Sequence, residues 1–236
     1  MENTLLVLMI TAASLGFVHT ILGPDHYLPF IVMARARNWT MRKTLWMTAL
    51  CGGGHVLSSI LLGFGGILLG VGLENLINIE ASRGNLAAWA LLFFGLVYFI
   101  WGLWRAVRNK PHKHLHHHVD GTMHEHEHSH KREHSHLHTN KKRNVTPWIL
   151  FLIFVLGPCE PLIPLLMYPA AEHSAIGVAG VSIVFGLATI ATMIMAVTVL
   201  TYGVKFVQLN KIEKYSHAIA GATISLSGFG IIFLGF

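Results

Sequence analysis

The sequence predicts an all-α membrane protein with six transmembrane helices, arranged as a three-plus-three inverted repeat in which helices one and four are broken at Gly-Pro pairs. Charged residues form 12% of the chain and apolar residues 53%, whereas soluble domains carry about 25% charged residues. Six apolar runs are long enough to cross about 30 Å of hydrocarbon, which takes roughly 20 helical residues. These runs lie near 5–23, 44–73, 86–104, 148–169, 176–202 and 218–236.

A polar segment, 105–147, separates the two predicted repeats, 1–104 and 148–236. It contains twelve of the seventeen histidines and too few apolar residues to form a core, so we expect a disordered loop. Imidazoles spaced along a flexible chain bind divalent transition-metal ions in many geometries. The histidines expected to capture such ions are His116, His117, His118, His124, His126, His128 and His130.

The distribution of Lys and Arg predicts the orientation of the protein in an inner or plasma membrane. Sixteen of the seventeen basic residues fall in alternate loops, and basic loops stay in the cytoplasm. We therefore expect both termini outside and 105–147 in the cytoplasm. The first run opens with Met1-Glu2-Asn3 and has no basic n-region, so it predicts a retained helix and not a secretion signal. The positive charge reflects topology and does not indicate nucleic-acid binding.

The two Gly-Pro pairs belong to matching segments in runs of opposite predicted direction. The segments are Leu22-Gly23-Pro24-Asp25-His26-Tyr27-Leu28 and Leu156-Gly157-Pro158-Cys159-Glu160-Pro161-Leu162. A proline inside a membrane helix removes a backbone donor and frees carbonyl groups. Broken helices at corresponding positions of two halves point to a substrate site near the membrane midplane. Two packing kinks are the simpler alternative.

The first half supplies imidazole and carboxylate groups that are typical of transition-metal sites. The candidate metal ligands are His19, Asp25, His26 and His55. An Asp inside a membrane is costly and requires a partner or a function. The glycines at 52–54 are expected to let span one approach His55 closely. A hydrogen bond between helices is the alternative role for His55.

The second half is expected to complete the pathway with Cys159 and Glu160, which we take to be buried, and with Thr189 and Thr192. For the threonines, hydrogen bonding back to their own helix is the commoner role. The chain has two cysteines, Cys51 and Cys159, both inside predicted spans. That placement argues against a structural disulfide framework.

The first-half motif resembles that of the nickel/cobalt transporter superfamily, including its urease-accessory-protein-H-like members. It consists of His19, the Asp25-His26 pair and the Gly54-His55 pair. This resemblance implies that His19, Asp25, His26 and His55 recognise and pass metal. Two departures from the uptake permeases are five residues between His19 and Asp25, where those permeases have four, and six predicted helices, where they have eight. The histidine-rich loop is more similar to members proposed to export nickel and cobalt.

The paired Gly-Pro segments are also similar to the thiol-disulfide electron carriers of cytochrome c biogenesis. Those carriers share a three-plus-three plan and have one reactive cysteine after each proline. Here the first such position is Asp25 and the second is Cys159.

The functional expectation is secondary transport of divalent transition-metal ions, with Ni²⁺ or Co²⁺ favoured and Zn²⁺, Mn²⁺ or Fe²⁺ as alternatives. Two other functions stay open, a thiol-disulfide electron carrier using Cys159, with Cys51 as a second thiol, and a membrane metal sensor or chaperone. We expect no enzymatic activity, no organic cofactor and no nucleic-acid partner. The expected partners are metal ions, the lipid bilayer and a second copy of the chain.

Overall fold

The computed structural model describes residues 2–108, 112–117, 123–128, 145–172, 174–205 and 213–234. Within them the fold has eight α-helices, two 3-10 turns and one two-stranded sheet. The helices are α1 (Glu2–Leu22), α2 (Leu28–Ala36), α3 (Met41–Leu68), α4 (Leu73–Arg108), α5 (Thr146–Leu156), α6 (Leu162–Ala171), α7 (Ala175–Lys205) and α8 (Ser216–Leu234). The 3-10 turns are Pro24–His26 and Glu213–Tyr215.

Among the described residues, five helices are long and apolar enough to cross a membrane. They are α1, α3, α4, α7 and the segment Glu213–Leu234, which contains α8. The apolar run predicted near 148–169 forms two shorter helices, α5 and α6. Large apolar side chains, among them Leu61, Val97 and Leu187, lie exposed on the outer faces of these helices, as lipid contact requires. The prediction of a multi-pass membrane protein whose spans are all helices is confirmed at this level.

Both interrupted helices end at a Gly-Pro pair. Helix α1 ends at Leu22, a single 3-10 turn follows, and α2 begins at Leu28. Helix α5 ends at Leu156, where Gly157 has an extended backbone with φ −60° and ψ 142°, and α6 begins at Leu162. Because proline has no N–H and clashes with the preceding turn, neither helix continues through its break.

Two long-range helix pairs hold the bundle together. Helix α1 packs along α7, α4 packs along α8, and α3 contacts α5, α6 and α7. A Cβ atom added to Gly221 of α8 would overlap the backbone of Phe99 in α4. Small residues at this seam therefore allow backbone contact between helices, which is how membrane helices associate closely.

Two short antiparallel strands lie in the polar segment between the halves, where a disordered loop was expected. They are β1 (His112–His117) and β2 (Met123–His128), with His114 opposite His126. Residues in this segment alternate with a period of two, which is compatible with extended strands. Residues 109–111, 118–122 and 129–144 lie outside the described part of the chain.

Candidate functional site

Three histidines meet beside the break between α1 and α2. His19 lies in the last turn of α1, His26 in the 3-10 turn and His55 on α3. Their ring centroids are 4.8 Å apart for His19 and His26, 5.0 Å for His26 and His55, and 6.4 Å for His19 and His55. One ring nitrogen from each lies within 4.8 Å of the other two, close enough to hold one metal ion. Metal binding by these residues stays a prediction.

The carbonyl of Gly23 fixes the tautomer of His26. Nδ1 of His26 is 3.2 Å from that carbonyl oxygen and 3.3 Å from Oδ1 of Asp25. A carbonyl oxygen can only accept, so Nδ1 carries a proton, and in the neutral ring Nε2 is then the nitrogen with the lone pair. Nε2 of His26 and Nε2 of His19 are buried without a hydrogen-bond partner among the described residues. The side chain of Asp25 is 29% exposed. Because it contacts Nδ1 and not Nε2, it orients the His26 ring without covering Nε2.

A thiol-imidazole pair lies on the other side of His55. Nδ1 of His55 is 3.3 Å from the carbonyl oxygen of Phe154, to which it must donate. Nε2 is then free to accept, and the sulfur of Cys159 lies 3.0 Å from it. Both side chains are buried. The arrangement directs the thiol proton of Cys159 toward an imidazole nitrogen whose partner nitrogen is anchored by backbone.

The two break glycines make room for the two histidines. A Cβ atom on Gly23 would lie 2.6 Å from Nδ1 of His26, and a Cβ atom on Gly157 would lie 3.0 Å from Nδ1 of His55. The glycines of the matching segments therefore have matching roles. Each lets an imidazole reach a carbonyl oxygen that lies at or just before the break.

The glycine triplet of α3 does not serve the contact expected of it. A Cβ atom on Gly52 would meet Met193 of α7, one on Gly54 would meet Val155 and Phe151 of α5, and one on Gly53 would meet nothing within 4 Å. The close approach is thus to the second half and not to span one. His55 reaches α1 because its own ring extends toward His19.

The second-half candidates separate into different environments. Cys159 is fully buried, whereas Glu160 is exposed, so the expectation that Glu160 is buried is wrong. The turn after Pro158 points neighbouring side chains in opposite directions. Oγ1 of Thr192 donates to the carbonyl of Ala188 at 2.7 Å, which is the back-bonding role. Thr189 is fully buried against Gly16 of α1.

A cavity of about 820 Å³ opens beside the histidines and contacts both halves of the chain. Its polar lining comes from α1 and the first break, from α3, from α4 and from the second break. These residues are His19, Asp25, His26, His55, Asn85 and Glu160. The two threonines of α7 are not part of this lining.

Two further predicted features lie away from the histidines or outside the described residues. Cys51 is fully buried in an apolar cluster that includes Phe30, Phe154 and Met193, and neither cysteine is in a disulfide. For the loop histidines, the backbone of five is described and the side chains are not, while the other two lie outside the described residues. The five are His116, His117, His124, His126 and His128, and the two are His118 and His130.

An ion pair that was not among the predicted site residues lies next to the chain segment before Cys159. Arg83 Nη1 donates to Oε1 of Glu80, and Nη2 donates to the carbonyl oxygen of Val155 at 2.9 Å. Glu80 is fully buried within α4. A Glu and an Arg three residues apart inside an apolar span was the available signal, since intramembrane charges are rare without a partner.

Comparison with protein families identifies the membrane domain. Residues 28–234 match the family model described as the cytochrome c biogenesis protein transmembrane region. The match begins immediately after the first break and includes both His55 and Cys159. No curated protein and no solved structure matches the chain.

This match contradicts the resemblance to the nickel/cobalt transporter superfamily and the metal-transport function drawn from it; both predictions were wrong. That resemblance rested on short motifs around His19, Asp25, His26 and His55, whereas the family match extends over most of the helical chain. Clustered histidines are a local feature that unrelated chains can share, because a few positions suffice to make them. The chain belongs to the family of the cytochrome c biogenesis protein transmembrane region.

Proposed function

We propose that this protein carries reducing equivalents within the membrane by thiol-disulfide exchange, with Cys159 as the reactive thiol. The observation that carries the proposal is the 3.0 Å contact between the Cys159 sulfur and Nε2 of His55. A thiolate, not a thiol, attacks disulfides, so a positioned base next to a thiol favours exchange. The family match supports the same class of chemistry.

His55 is proposed to accept the thiol proton. Its Nδ1 proton is held by the carbonyl oxygen of Phe154, which keeps Nε2 available for the proton of Cys159. The geometry follows the general pattern of an activated nucleophile, in which a base is oriented by a third group. Here the third group is a backbone carbonyl next to the break. The chain segment at the break therefore also orients the base.

The exchange balances with a partner disulfide as oxidant and a dithiol as reductant. The Cys159 thiolate attacks one sulfur of the partner disulfide, that S–S bond breaks, and a mixed disulfide forms. The leaving thiolate takes the proton held by His55. A second thiol then loses its proton and attacks the Cys159 sulfur, and the partner's other thiolate leaves and is protonated. The partner gains two electrons and two protons, and a dithiol later returns both to the carrier.

Cys51 is the candidate second thiol. It is the other cysteine of the chain, and it lies four residues before His55 on α3, which is about one turn or 6 Å along the helix. Its apolar cluster includes Phe154, whose carbonyl anchors His55. Closing a Cys51–Cys159 disulfide requires movement at the break, where the helical hydrogen bonds are already interrupted. A second thiol from the partner is the alternative.

We further propose that the helices form six spans in a three-plus-three inverted repeat, with α1 and α2 as the first span and α5 and α6 as the fourth. The helix contacts support this symmetry. Helix α1 of the first half packs on α7 of the second half, and α5 and α6 of the second half pack on α3 of the first. The last helices of the two halves, α4 and α8, pack against each other. The basic loops favour both termini outside and 105–147 in the cytoplasm. Labelling of a Ser135→Cys variant by an impermeant maleimide added outside intact cells would contradict this orientation.

The experiment that tests the proposed function is a redox titration of the full-length protein in lipid nanodiscs. After equilibration in glutathione buffers of graded potential, acid quenching and differential alkylation would report the oxidised fraction of each cysteine by mass spectrometry. We expect Cys159 to change state reversibly in the wild-type protein. The Cys51→Ser variant should still form a glutathione adduct at Cys159. A Cys159 thiol that stays reduced in every buffer would overturn the proposal.

A further inference from the structure

The second break separates a backbone donor from the acceptor that a continuous helix would pair with it, and two other helices supply replacement partners. In an unbroken α-helix the N–H of Cys159 would donate to the carbonyl of Val155, four residues earlier. Instead, that N–H donates to Oγ of Ser59 on α3 at 3.3 Å. The carbonyl oxygen of Val155 accepts from Nη2 of Arg83 on α4 at 2.9 Å. One internal hydrogen bond has thus been exchanged for two external ones.

Arg83 joins three helices at this point. Besides Val155 of α5, its Nη2 donates to Oγ of Ser58 on α3 at 2.8 Å, and its Nη1 donates to Glu80. Oγ of Ser58 in turn donates to the carbonyl oxygen of His55 at 2.8 Å. The guanidinium group therefore connects the backbone just before Cys159 to the backbone of the histidine that Cys159 contacts.

The charge of Arg83 is balanced locally by Glu80. The Glu80 side chain is 1% exposed and that of Arg83 is 17% exposed, so the pair lies largely away from water. An ion pair in this setting costs desolvation energy and is weak evidence for stability alone. Next to the pair, a Cβ atom on Gly84 would lie 2.6 Å from Cγ of Pro158. Helix α4 is thus in close contact with the break.

We propose that Arg83 is a positioning residue for Cys159, with Glu80 as its counterion. Pro158 interrupts the helix, and by donating to the Val155 carbonyl Arg83 holds the chain before the break in place against α3 and α4. The open break turns the Cys159 side chain toward Nε2 of His55. The inference rests on the proposed function for the meaning of the Cys159–His55 contact, but it concerns what holds that contact in place.

The test uses full-length protein in nanodiscs with Cys51→Ser as background, which leaves Cys159 as the one thiol in the sequence. Infrared spectroscopy of the S–H stretch reports whether the thiol donates a hydrogen bond. The rate of reaction with methyl methanethiosulfonate reports its reactivity, and thermal unfolding reports stability. The variants are Arg83→Gln, Arg83→Lys, His55→Ala and the Arg83→Gln/His55→Ala double variant. Arg105→Gln, an exposed arginine on the same helix, is the matched control.

We expect Arg83→Gln to move the S–H band part of the way toward its position in His55→Ala and to slow the thiol reaction by about tenfold, the effect of one lost hydrogen bond. The double variant should be no slower than His55→Ala, because both changes act through one contact. Arg83→Lys should recover part of the rate because it keeps the charge and a donor. Arg105→Gln should change neither the band nor the rate.

Two results would overturn the inference and are distinct from failure of the proposed function. An unchanged S–H band in Arg83→Gln, with only a lower unfolding temperature, would assign Arg83 a purely structural role. Rate losses that multiply in the double variant would show that the two residues act separately. If Arg83→Gln does not fold, Arg83→Lys, which keeps the charge but has fewer donors for the Val155 carbonyl and Ser58, must shift the band or the inference fails. A band that does not move in His55→Ala would instead overturn the proposed function.

Discussion

The sulfur of Cys159 lies 3.0 Å from Nε2 of His55, although 104 residues separate them in the chain. The contact joins α3 to the break between α5 and α6, and therefore depends on how the second break is held. Helices α3 and α4 supply that support through Ser59 and Arg83. The reactivity of one thiol is thus tied to the packing of three helices.

His55→Ala should slow the reaction of Cys159 with methyl methanethiosulfonate by about 10²-fold, the lower end of what a positioned base contributes. The rate is measured in the Cys51→Ser background. His217→Ala, a histidine near the start of α8, is the control and should leave the rate unchanged. Equal rates in the two variants would remove His55 from the chemistry.

Gly157→Ala should disturb the thiol-imidazole pair without touching either partner. The added Cβ would lie 3.0 Å from Nδ1 of His55 and 3.2 Å from the carbonyl oxygen of Phe154, so the ring must shift and its anchoring hydrogen bond weakens. We expect a reaction rate about tenfold lower, as for one lost hydrogen bond. Gly53→Ala is the matched control, since nothing lies within 4 Å of its added Cβ. Similar rates in the two variants would contradict the described geometry.

The unpartnered Nε2 atoms of His19 and His26 predict a cation site. Both Nε2 atoms are buried without a partner among the described residues, and borderline divalent ions suit imidazole. A variant with serine at the twelve histidines of 105–147 should still bind Co²⁺, detected by its visible absorption. Adding His26→Ala should abolish that band, and adding His217→Ala should not. Absence of the band in the parent variant would refute the site.

Glu80→Gln should destabilise the protein by about 3 kcal/mol, because it leaves the charge of Arg83 largely buried without a counterion. Reversible unfolding in mixed detergent micelles measures the change in free energy of unfolding. Glu74→Gln, an exposed glutamate on the same helix, should have almost no effect. A small and equal change in both variants would mean that the pair is not held as described.

Most of what could be predicted about the fold came from the apolar runs and the proline positions. A run of about 20 apolar residues requires a membrane helix, and Pro24 and Pro158 prevent a helix from continuing. His19 and His26 could be grouped because they flank one break, whereas the glycines that were expected to bring His55 to them contact the second half instead. These inferences use local rules that hold wherever the segments later pack.

The orientation of side chains at the breaks could not be predicted in the same way. Helical periodicity decides which face a residue occupies, and that rule is lost once Gly157 adopts an extended backbone. As a result, Glu160 is exposed while its neighbour Cys159 is fully buried. The partners of Arg83 and of Gly54 also depend on how separate helices pack, which no local pattern specifies.

The histidine motif led to the wrong family because it is short and because imidazole has several chemical roles. Imidazole binds metals, accepts protons from thiols and bonds to backbone carbonyls. In this chain His55 accepts from Cys159 and donates to Phe154, while its ring also lies near His19 and His26. A motif of four residues could not distinguish these roles, whereas a match over residues 28–234 identifies the family.

Electron transfer through reconstituted membranes tests the central claim most directly. Proteoliposomes would enclose a disulfide-containing fluorogenic peptide, with a membrane-impermeant dithiol added outside, and the internal reduction rate would be followed. We predict that wild-type protein reduces the enclosed disulfide, that His55→Ala does so more slowly, and that Cys159→Ser lowers the rate to that of protein-free vesicles. Equal rates for wild-type and Cys159→Ser protein would contradict the account.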